Sequence, residues 1–107
     1  MELKNKKCIP CERGTLPLNQ KEIGEYLALI KDGWIVSDNQ KISREFKFKD
    51  YTDTIDFVNK VAKVAEEEGH HPDLHVFYGK VVVVLWTHAV NGLTENDFIL
   101  ASKIDYL

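Results

Sequence analysis

The sequence predicts an α+β domain: a four-stranded, mostly antiparallel sheet with three helices packed on one face, in the order αββαββα. Two patterns support this prediction. Apolar residues recur at helical spacing in three segments. Four shorter segments instead alternate, or run continuously, in apolar and β-branched residues, as strands do. Short turns join the strands within each pair, which favours antiparallel neighbours.

The length and composition of the chain indicate a single globular domain. The chain has 107 residues, enough for one domain spanning residues 1–107 and too few for two. Its net charge of −3 gives no electrostatic footprint for nucleic acid. The longest apolar run, Val81–Trp86, is too short to span a membrane. Residues 1–7 are charged and no apolar signal region follows them, so we expect a cytoplasmic protein with reduced cysteines.

Residues 1–18 are predicted to form an irregular N-terminal segment, since Gly14 and Pro17 oppose a helix there. The segment holds a C-x-x-C pair, Cys8 and Cys11. A redox site would need a following helix, and a zinc site would need two more ligands. Plain thiols with a packing role are the favoured interpretation, and metal binding stays open as the alternative.

The first helix and first strand pair follow this segment. Asn19 and Glu22 have the spacing of a capping box, and Gly33 suits the position after the last helical turn. The strands are predicted over Trp34–Val36 and Lys41–Lys49, and the second of them alternates as a half-buried strand does.

The second helix is predicted over Tyr51–Glu68. Gly69 ends it, and Pro72 prevents it from resuming. Two further strands, Leu74–Tyr78 and Val81–His88, are separated by a tight turn and resemble a hairpin.

The last strand, Val81–His88, is mostly apolar on both faces, so we expect a second subunit to cover the face that the helices leave open. The last helix begins after Thr94, and Asp97 completes its capping box. Leu93 and Phe98 occupy the positions of a hydrophobic staple around that cap.

The corner between the second helix and the third strand carries the groups best suited to chemistry. Glutamates fill the last helical turn, Glu66–Glu68, although the partial negative charge of a helix C-terminus favours cations. His70 and His71 follow, and His88 lies at the end of the last strand. Three histidines and a carboxylate can supply an acid, a base and an orienting partner near neutral pH. A polar His-His turn is the plain structural alternative.

A metal site is a second possibility. His71, His75 and His88, with Cys8 or Cys11, make a possible ligand set. Their spacing is not compact, however, and the proline that follows His71 excludes a helical ligand pair. We therefore predict no metal ligand, and we expect His75 to lie on the surface or just behind the residues that contact a ligand.

The order of these residues resembles a known signature. The motif Glu66-x-x-x-His70-His71-Pro72, with Tyr78, His88 and Asp97 at the present spacings, is similar to that of the pterin-4a-carbinolamine dehydratases. The flanks resemble that family too: Gly33-Trp34, Phe46-Lys47-Phe48, and Thr87-His88 followed by Gly92-Leu93-Thr94. The resemblance covers most of the chain after the N-terminal segment, whose C-x-x-C resembles one found on bacterial members.

The resemblance implies a lyase, 4a-hydroxytetrahydrobiopterin dehydratase, that uses no cofactor. Such enzymes convert 4a-hydroxytetrahydropterin to quinonoid dihydropterin and water, and so recycle the pterin of aromatic amino-acid hydroxylases. The catalytic residues it implies are His70, His71 and His88. We expect His70 and His88 to be the acid and base groups near the hydroxyl, with His71 as an orienting group or base. The implied substrate-binding residues are Glu66, Gly69, Trp86, Thr87 and Ala89, and we expect Glu67 and Glu68 to be solvated.

The chain also departs from the mammalian members of that family. Leu74 stands where they carry Trp, and Val82, Val84 and Trp86 stand where they carry more polar residues. We therefore expect different aromatic packing near the substrate, and a homodimer or homotetramer whose arrangement does not follow from that of the mammalian members. The alternatives are a regulatory, self-associating or pterin-binding domain with lost activity or another activity, for example one linked to molybdopterin.

Overall fold

The predicted class and element order are confirmed. The computed structural model describes residues 3–10 and 15–107. Its helices are α1 (Gln20–Leu27), α2 (Tyr51–Glu68) and α3 (Glu95–Asp105). Its strands are β1 (Ile35–Ser37), β2 (Lys41–Lys47), β3 (Asp73–Phe77) and β4 (Lys80–Leu85). Short 3-10 turns lie at Leu3–Asn5 and His88–Val90.

The four strands form one antiparallel sheet in the order β1-β2-β4-β3. The last strand in sequence is therefore central, and its ladder pairs Leu85 with Ile42 of β2 and Val81 with Val76 of β3. The loop that leaves β4 consequently emerges from the middle of the sheet, beside the end of α2.

The hydrophobic core lies between this sheet and the helices. Val81, Val83 and Leu85 of β4 are fully buried on one face, as the alternation of a half-buried strand requires. Val61 of α2 and Phe98 of α3 are equally buried in the same cluster. Burying side chains of this size contributes about 1.5–3 kcal/mol each relative to exposure.

The helix caps agree with the sequence. Asn19 and Glu22 form the predicted capping box of α1. The box of α3 is also formed, by Thr94 and Asp97. Asp50 caps α2 by accepting a hydrogen bond from a backbone N–H of its first turn. These local hydrogen bonds satisfy backbone groups that have no partner within the helix.

Strand bounds differ from the prediction by one or two residues at several places, and the ends of α1 and β4 differ by more. Helix α1 ends at Leu27 rather than just before Gly33. After it the N–H of Leu29 donates to the carbonyl of Tyr26, three residues back, so the chain tightens and leaves the α-helical path. Strand β4 ends at Leu85 rather than at His88, because the following residues turn away from the sheet.

The face of β4 that points away from the helices is less apolar than the sequence of the strand suggests. Val82 and Val84 are only half-buried there. The ladder places Val82 between Glu45 of β2 and His75 of β3, so polar neighbours interrupt the apolar stripe. Large exposed apolar side chains instead gather on the edge strand β3 and its turn, at Val76, Phe77 and Tyr78.

The N-terminal residues pack onto α3. Leu3 is buried in the core cluster, and Lys6 forms an ion pair of 2.8 Å with Glu95. The Cys8 thiol is half-buried and donates a weak hydrogen bond to the backbone carbonyl of Asn96, with a sulfur–oxygen distance of 3.6 Å. Cys8 therefore packs against the protein, whereas Cys11 lies outside the described residues.

Candidate active site

The corner after α2 is built by a glycine. Gly69 takes a left-handed conformation with φ of 64°, which glycine adopts without strain. The N–H of His70 then donates to the carbonyl of Ala65, a hydrogen bond typical of a helix that ends in this way. The chain therefore leaves the helix axis at once and carries His70 and His71 toward the loop after β4.

A cavity of about 280 Å³ lies where these two segments meet. It is lined by Ile9, Gly69, His70, His71, Trp86, Thr87, His88 and Ala89. All the predicted site residues except Glu66 are in this lining. Its volume is close to the lower end of the usual range for small-molecule sites, which begins at about 300 Å³.

A larger cavity exists elsewhere, but its lining is poorer in chemistry. It measures about 440 Å³ and lies between the N-terminal turn, the end of α1 and the end of α3. Its titratable side chains are Lys4, Lys31, Asp105 and Tyr106, and it contains no histidine. Because histidine is the side chain that best exchanges protons near neutral pH, the smaller, histidine-lined cavity is the better candidate for an active site.

His70 is held by a buried carboxylate. Its Nε2 atom lies 2.6 Å from Oδ1 of Asp97, whose side chain is fully buried. The other carboxylate oxygen accepts hydrogen bonds from the Thr87 hydroxyl at 2.8 Å and from the Thr94 N–H at 3.0 Å. Because Oδ1 of Asp97 can accept a hydrogen bond, we assign the ring proton of His70 to Nε2. Nδ1 is then the ring nitrogen that can exchange a proton.

Asp97 is the site residue that sequence reasoning placed only as a helix cap. It does cap α3, and it also orients His70, from 27 positions away in the chain. The capping-box pattern explained its presence completely, so nothing local indicated the second role. The one signal was its place in the motif that resembles a family signature.

His71 has a more exposed partner. Its Nε2 atom lies 3.1 Å from Oε2 of Glu66, and both side chains are largely exposed. An exposed pair of this kind contributes little free energy. Glu66 therefore orients His71 from outside the cavity rather than lining it.

His88 is positioned by an aromatic neighbour. The ring centroids of Trp86 and His88 are 3.8 Å apart, at an interplanar angle of 33°. The indole N–H of Trp86 donates to a carboxylate oxygen of Asp73 at 3.3 Å, and Lys41 Nζ lies 4.7 Å from the centroid of the indole ring. The hydrogen bond to Asp73 thus ties the Trp86 indole to β3, and the indole in turn packs against the exposed ring of His88, the first residue of the 3-10 turn.

Thr87 fastens the loop that carries His88. Its hydroxyl contacts Thr94 Oγ1 at 2.9 Å in addition to Asp97, and its backbone pairs with Gly92 in an isolated bridge. The hydroxyl is thus committed to the protein, and so are the backbone N–H, which donates to the Gly92 carbonyl, and the backbone carbonyl, which accepts from the N–H groups of Val90 and Gly92. Thr87 therefore shapes the cavity wall through groups that the protein itself already holds in place. Ala89, on the same turn, is small and exposed.

The expectation that Glu68 is solvated is wrong, whereas Glu67 is exposed. The side chain of Glu68 is only 6% exposed. It accepts a hydrogen bond of 2.8 Å from the Cys8 N–H, and its other oxygen lies 3.8 Å from Lys103 Nζ. The N-terminal segment covers this last turn of α2, and no local pattern in the sequence shows that contact.

The metal alternative gains no support from the geometry. Within residues 3–10 and 15–107, no three histidine, cysteine or acidic side chains are grouped so as to hold a metal ion. His75 is exposed on edge strand β3, as expected for a surface residue, and is absent from the cavity lining.

The described helices also include none with the length and apolar character that crossing a bilayer requires.

Fold and cavity together define a small α+β protein with a histidine-lined site in which one imidazole is held by a buried carboxylate. The family model described as pterin 4 alpha carbinolamine dehydratase matches residues 16–107. The chain belongs to this family, and the predicted resemblance is confirmed.

Relatives span nearly the whole chain. A Rickettsia bellii protein, provisionally named pterin-4-alpha-carbinolamine dehydratase, is 50% identical over 98% of this chain and 93% of its own. A similarly named Alkaliphilus metalliredigens protein is 44% identical over 96% of this chain and 93% of its own.

Solved structures share the fold. A Brucella melitensis structure titled transcriptional coactivator/pterin dehydratase superposes with a TM-score of 0.78 at 38% identity, covering 84% of this chain and 96% of that one. A pterin dehydratase-like protein, titled a RuBisCO assembly factor in the alpha-carboxysome, superposes with a TM-score of 0.60 at 22% identity. That match covers 69% of this chain and 87% of the other, and at this identity the likeness is one of fold alone.

Proposed function

We propose that this protein is a 4a-hydroxytetrahydropterin dehydratase, a lyase that forms quinonoid dihydropterin and water. One observation carries the proposal: His70, His71 and His88 line one cavity, and His70 is fixed by buried Asp97. Membership of the family supports the same reaction class.

The reaction needs two proton movements and no redox step. The C4a–oxygen bond breaks, and the departing hydroxyl takes a proton to leave as water. The N5–H proton goes to a base, and its bonding pair forms the C4a=N5 double bond of the quinonoid product. Imidazoles are suited to both steps near neutral pH.

The three histidines differ in how they are held, and this suggests a division of roles. We assign proton transfer at the C4a hydroxyl and at N5 to His70 and His88, the first held by Asp97 and the second packed on Trp86. His71 has an exposed partner, so we assign it to orienting the substrate or to serving as an alternative base. Small residues at the rim, Gly69 and Ala89, leave room for a flat bicyclic ring.

A single assay tests the proposal. Purified protein is added to chemically generated 4a-hydroxytetrahydropterin, and formation of quinonoid dihydropterin is followed. We expect the wild type to accelerate dehydration, and His70→Ala and His88→Ala each to lower kcat by about a hundredfold, a typical loss for an acid–base group. His75→Ala is the matched control, since this exposed histidine is outside the cavity and its loss leaves kcat unchanged. No acceleration by the wild type overturns the activity, and undiminished rates in both site variants overturn the site.

A second candidate is a self-associating binding module. The exposed edge of β3, with Val76, Phe77 and Tyr78, favours association, because an edge strand has unpaired backbone groups and these side chains are apolar. Whether the protein is a dehydratase or a binding module, we propose that it forms a homodimer or homotetramer, without nucleic-acid or membrane partners. Light scattering that gives a monomer at micromolar concentration contradicts the oligomer. An oligomer that binds pterin without dehydrating it favours the module.

We further propose that the protein acts in the cytoplasm and recycles the pterin cofactor of aromatic amino-acid hydroxylases. Membership of the family supports the recycling role. Accumulation of pterin side products in a deletion strain, under conditions that require a hydroxylase, tests the recycling role. Unchanged pterin levels contradict it.

A further inference from the structure

The histidine cavity has one wall that comes from outside the segment matched by the family model. Ile9 lines the cavity together with the corner after α2 and the loop after β4. The match to the family model begins only at residue 16. The N-terminal segment therefore adds an aliphatic residue to a site whose other lining consists of three histidines, Trp86, Thr87 and two small residues.

The backbone of Ile9 is held on both sides by one residue. Its N–H donates to Oδ1 of Asn96 at 3.0 Å, and its carbonyl accepts from Nδ2 of the same amide at 2.5 Å. The preceding N–H, of Cys8, donates to the nearly buried carboxylate of Glu68. Asn96 is itself only 5% exposed, so the attachment point is a buried residue in the first turn of α3.

Ile9 as a whole is nonetheless 69% exposed. A fixed backbone that presents an exposed apolar side chain at a cavity is arranged for contact with whatever enters that cavity, since covering apolar surface is favourable. A flat heterocycle has apolar faces that such a side chain can cover, whereas the histidines serve its polar edge.

We propose that Ile9 is a substrate-positioning residue that forms one wall of the pterin site, and that Asn96 acts through Ile9 by fixing its backbone. This inference rests on the proposed function for the identity of the ligand. It concerns binding and orientation only, because an aliphatic side chain exchanges no proton.

The first test separates binding from chemistry. Ile9→Ala is expected to raise KM about fivefold and to leave kcat within about twofold, since loss of contact made equally in ground and transition states raises KM alone. Leu16→Ala is the matched control, because Leu16 is an aliphatic residue, 84% exposed, that is absent from the cavity lining. An unchanged KM in Ile9→Ala, or an equal rise in Leu16→Ala, overturns the proposal.

The second test asks whether Asn96 works through Ile9. Asn96→Ala is expected to raise KM to a similar extent, and the double variant to be no worse than Ile9→Ala by more than about twofold. Effects that multiply in the double variant show that Asn96 acts independently and overturn that half of the proposal. If Asn96→Ala does not fold, Asn96→Asp, which keeps the acceptor for the Ile9 N–H, replaces it in the cycle.

A binding measurement keeps this inference separate from the proposed activity. Titration calorimetry with 7,8-dihydrobiopterin is expected to show binding to the wild type and about fivefold weaker binding to Ile9→Ala. If the wild type binds dihydrobiopterin with this difference but does not accelerate dehydration, the activity fails and the role of Ile9 stands. If dehydration proceeds and Ile9→Ala binds like the wild type, the activity stands and the role of Ile9 fails. No binding to the wild type also overturns the role of Ile9.

Discussion

His70 and Asp97 are joined across the fold by a contact of 2.6 Å between Nε2 and Oδ1. The same carboxylate caps α3 through the Thr94 N–H and binds the Thr87 hydroxyl. One buried side chain therefore links the corner after α2, the loop after β4 and the start of α3. By accepting a hydrogen bond from Nε2–H, Asp97 holds the His70 ring in one tautomer and one orientation.

Replacing Asp97 with Asn tests this linkage. The amide keeps the shape but can also donate, so it no longer enforces the tautomer with the proton on Nε2. We expect Asp97→Asn to lower kcat by roughly tenfold to a hundredfold, and to lower the free energy of unfolding by about 1–3 kcal/mol through the weakened buried hydrogen bonds.

The control for lost stability is Asn19→Ala. It removes the cap of α1, does not alter a residue of the cavity lining, and costs about 1 kcal/mol. Dehydration rates and urea unfolding curves of both variants distinguish a loss of histidine orientation from a loss of stability. If Asn19→Ala lowers kcat as much as Asp97→Asn does, the effect is one of stability and not of histidine orientation.

Gly69 and Gly24 form a matched pair for the corner. A Cβ added at either glycine would meet nothing within 4 Å, so any difference between them reflects backbone conformation. Gly69→Ala is expected to destabilise the protein by about 1 kcal/mol, because φ of 64° is strained for alanine. Gly24→Ala, inside α1, is expected to stabilise it by about 0.5–1 kcal/mol.

Thermal or urea unfolding measures both changes. Because the corner carries His70 and His71, Gly69→Ala is also expected to raise KM, and Gly24→Ala is not. If Gly69→Ala and Gly24→Ala change the free energy of unfolding in the same direction, the corner does not depend on the left-handed conformation of Gly69.

Asp105 gives the fold a pH dependence of known sign. Burial raises the pKa of its carboxyl above the usual 3.8, although hydrogen bonds from Trp34 and the charge of Arg44 act in the opposite direction. A carboxyl with a raised pKa in the folded state stabilises the fold most below its unfolded pKa, and that contribution is lost as pH rises through the folded value.

Asp105→Asn removes this titration and keeps an acceptor for the Trp34 indole N–H, which lies 3.0 Å from the carboxylate. The stability of the variant relative to the wild type is therefore expected to improve as pH rises from about 3 to about 6. Urea unfolding at several pH values measures the difference. A relative stability that falls over this interval would mean that the ion pair with Arg44 outweighs burial.

Cys8 is expected to be an unreactive thiol. Burial, reinforced by the nearby charges of Glu68 and Asp97, raises the pKa of its thiol from 9.0 to about 12. The thiolate is the nucleophile, so alkylation by iodoacetamide at pH 8 should be roughly a thousandfold slower than for an ordinary cysteine.

Cys11→Ser allows Cys8 to be followed alone, and the urea-unfolded protein provides the reference rate. Glu68→Gln removes one of the charges that raise the pKa of the Cys8 thiol, so it is expected to speed alkylation. Alkylation of the folded protein at the unfolded rate would show that the N-terminal segment does not hold Cys8 against α3.

Local signals were sufficient for much of the fold. The caps at Asn19, Asp50 and Thr94 are contacts within four residues, and the end of α2 at Gly69 needs only one glycine. The prediction for the end of α1 is wrong because the apolar spacing continues past Leu27, whereas the backbone hydrogen bonds change there from four-residue to three-residue spacing. Periodicity reports which side chains face the core and not where the last helical bond forms.

The sequence by itself determined the element order, the corner after α2, and the histidines that belong to the candidate site. Only the tertiary structure decided how those histidines are held. Asp97 reaches His70, Glu68 binds the N-terminal backbone, and Ile9 lines the cavity through contacts between distant parts of the chain. Each of these residues has a sufficient local explanation, as a cap, a helix-end charge or part of an irregular segment. Packing gives them a second role, because burial turns an ordinary polar or apolar side chain into a specific partner.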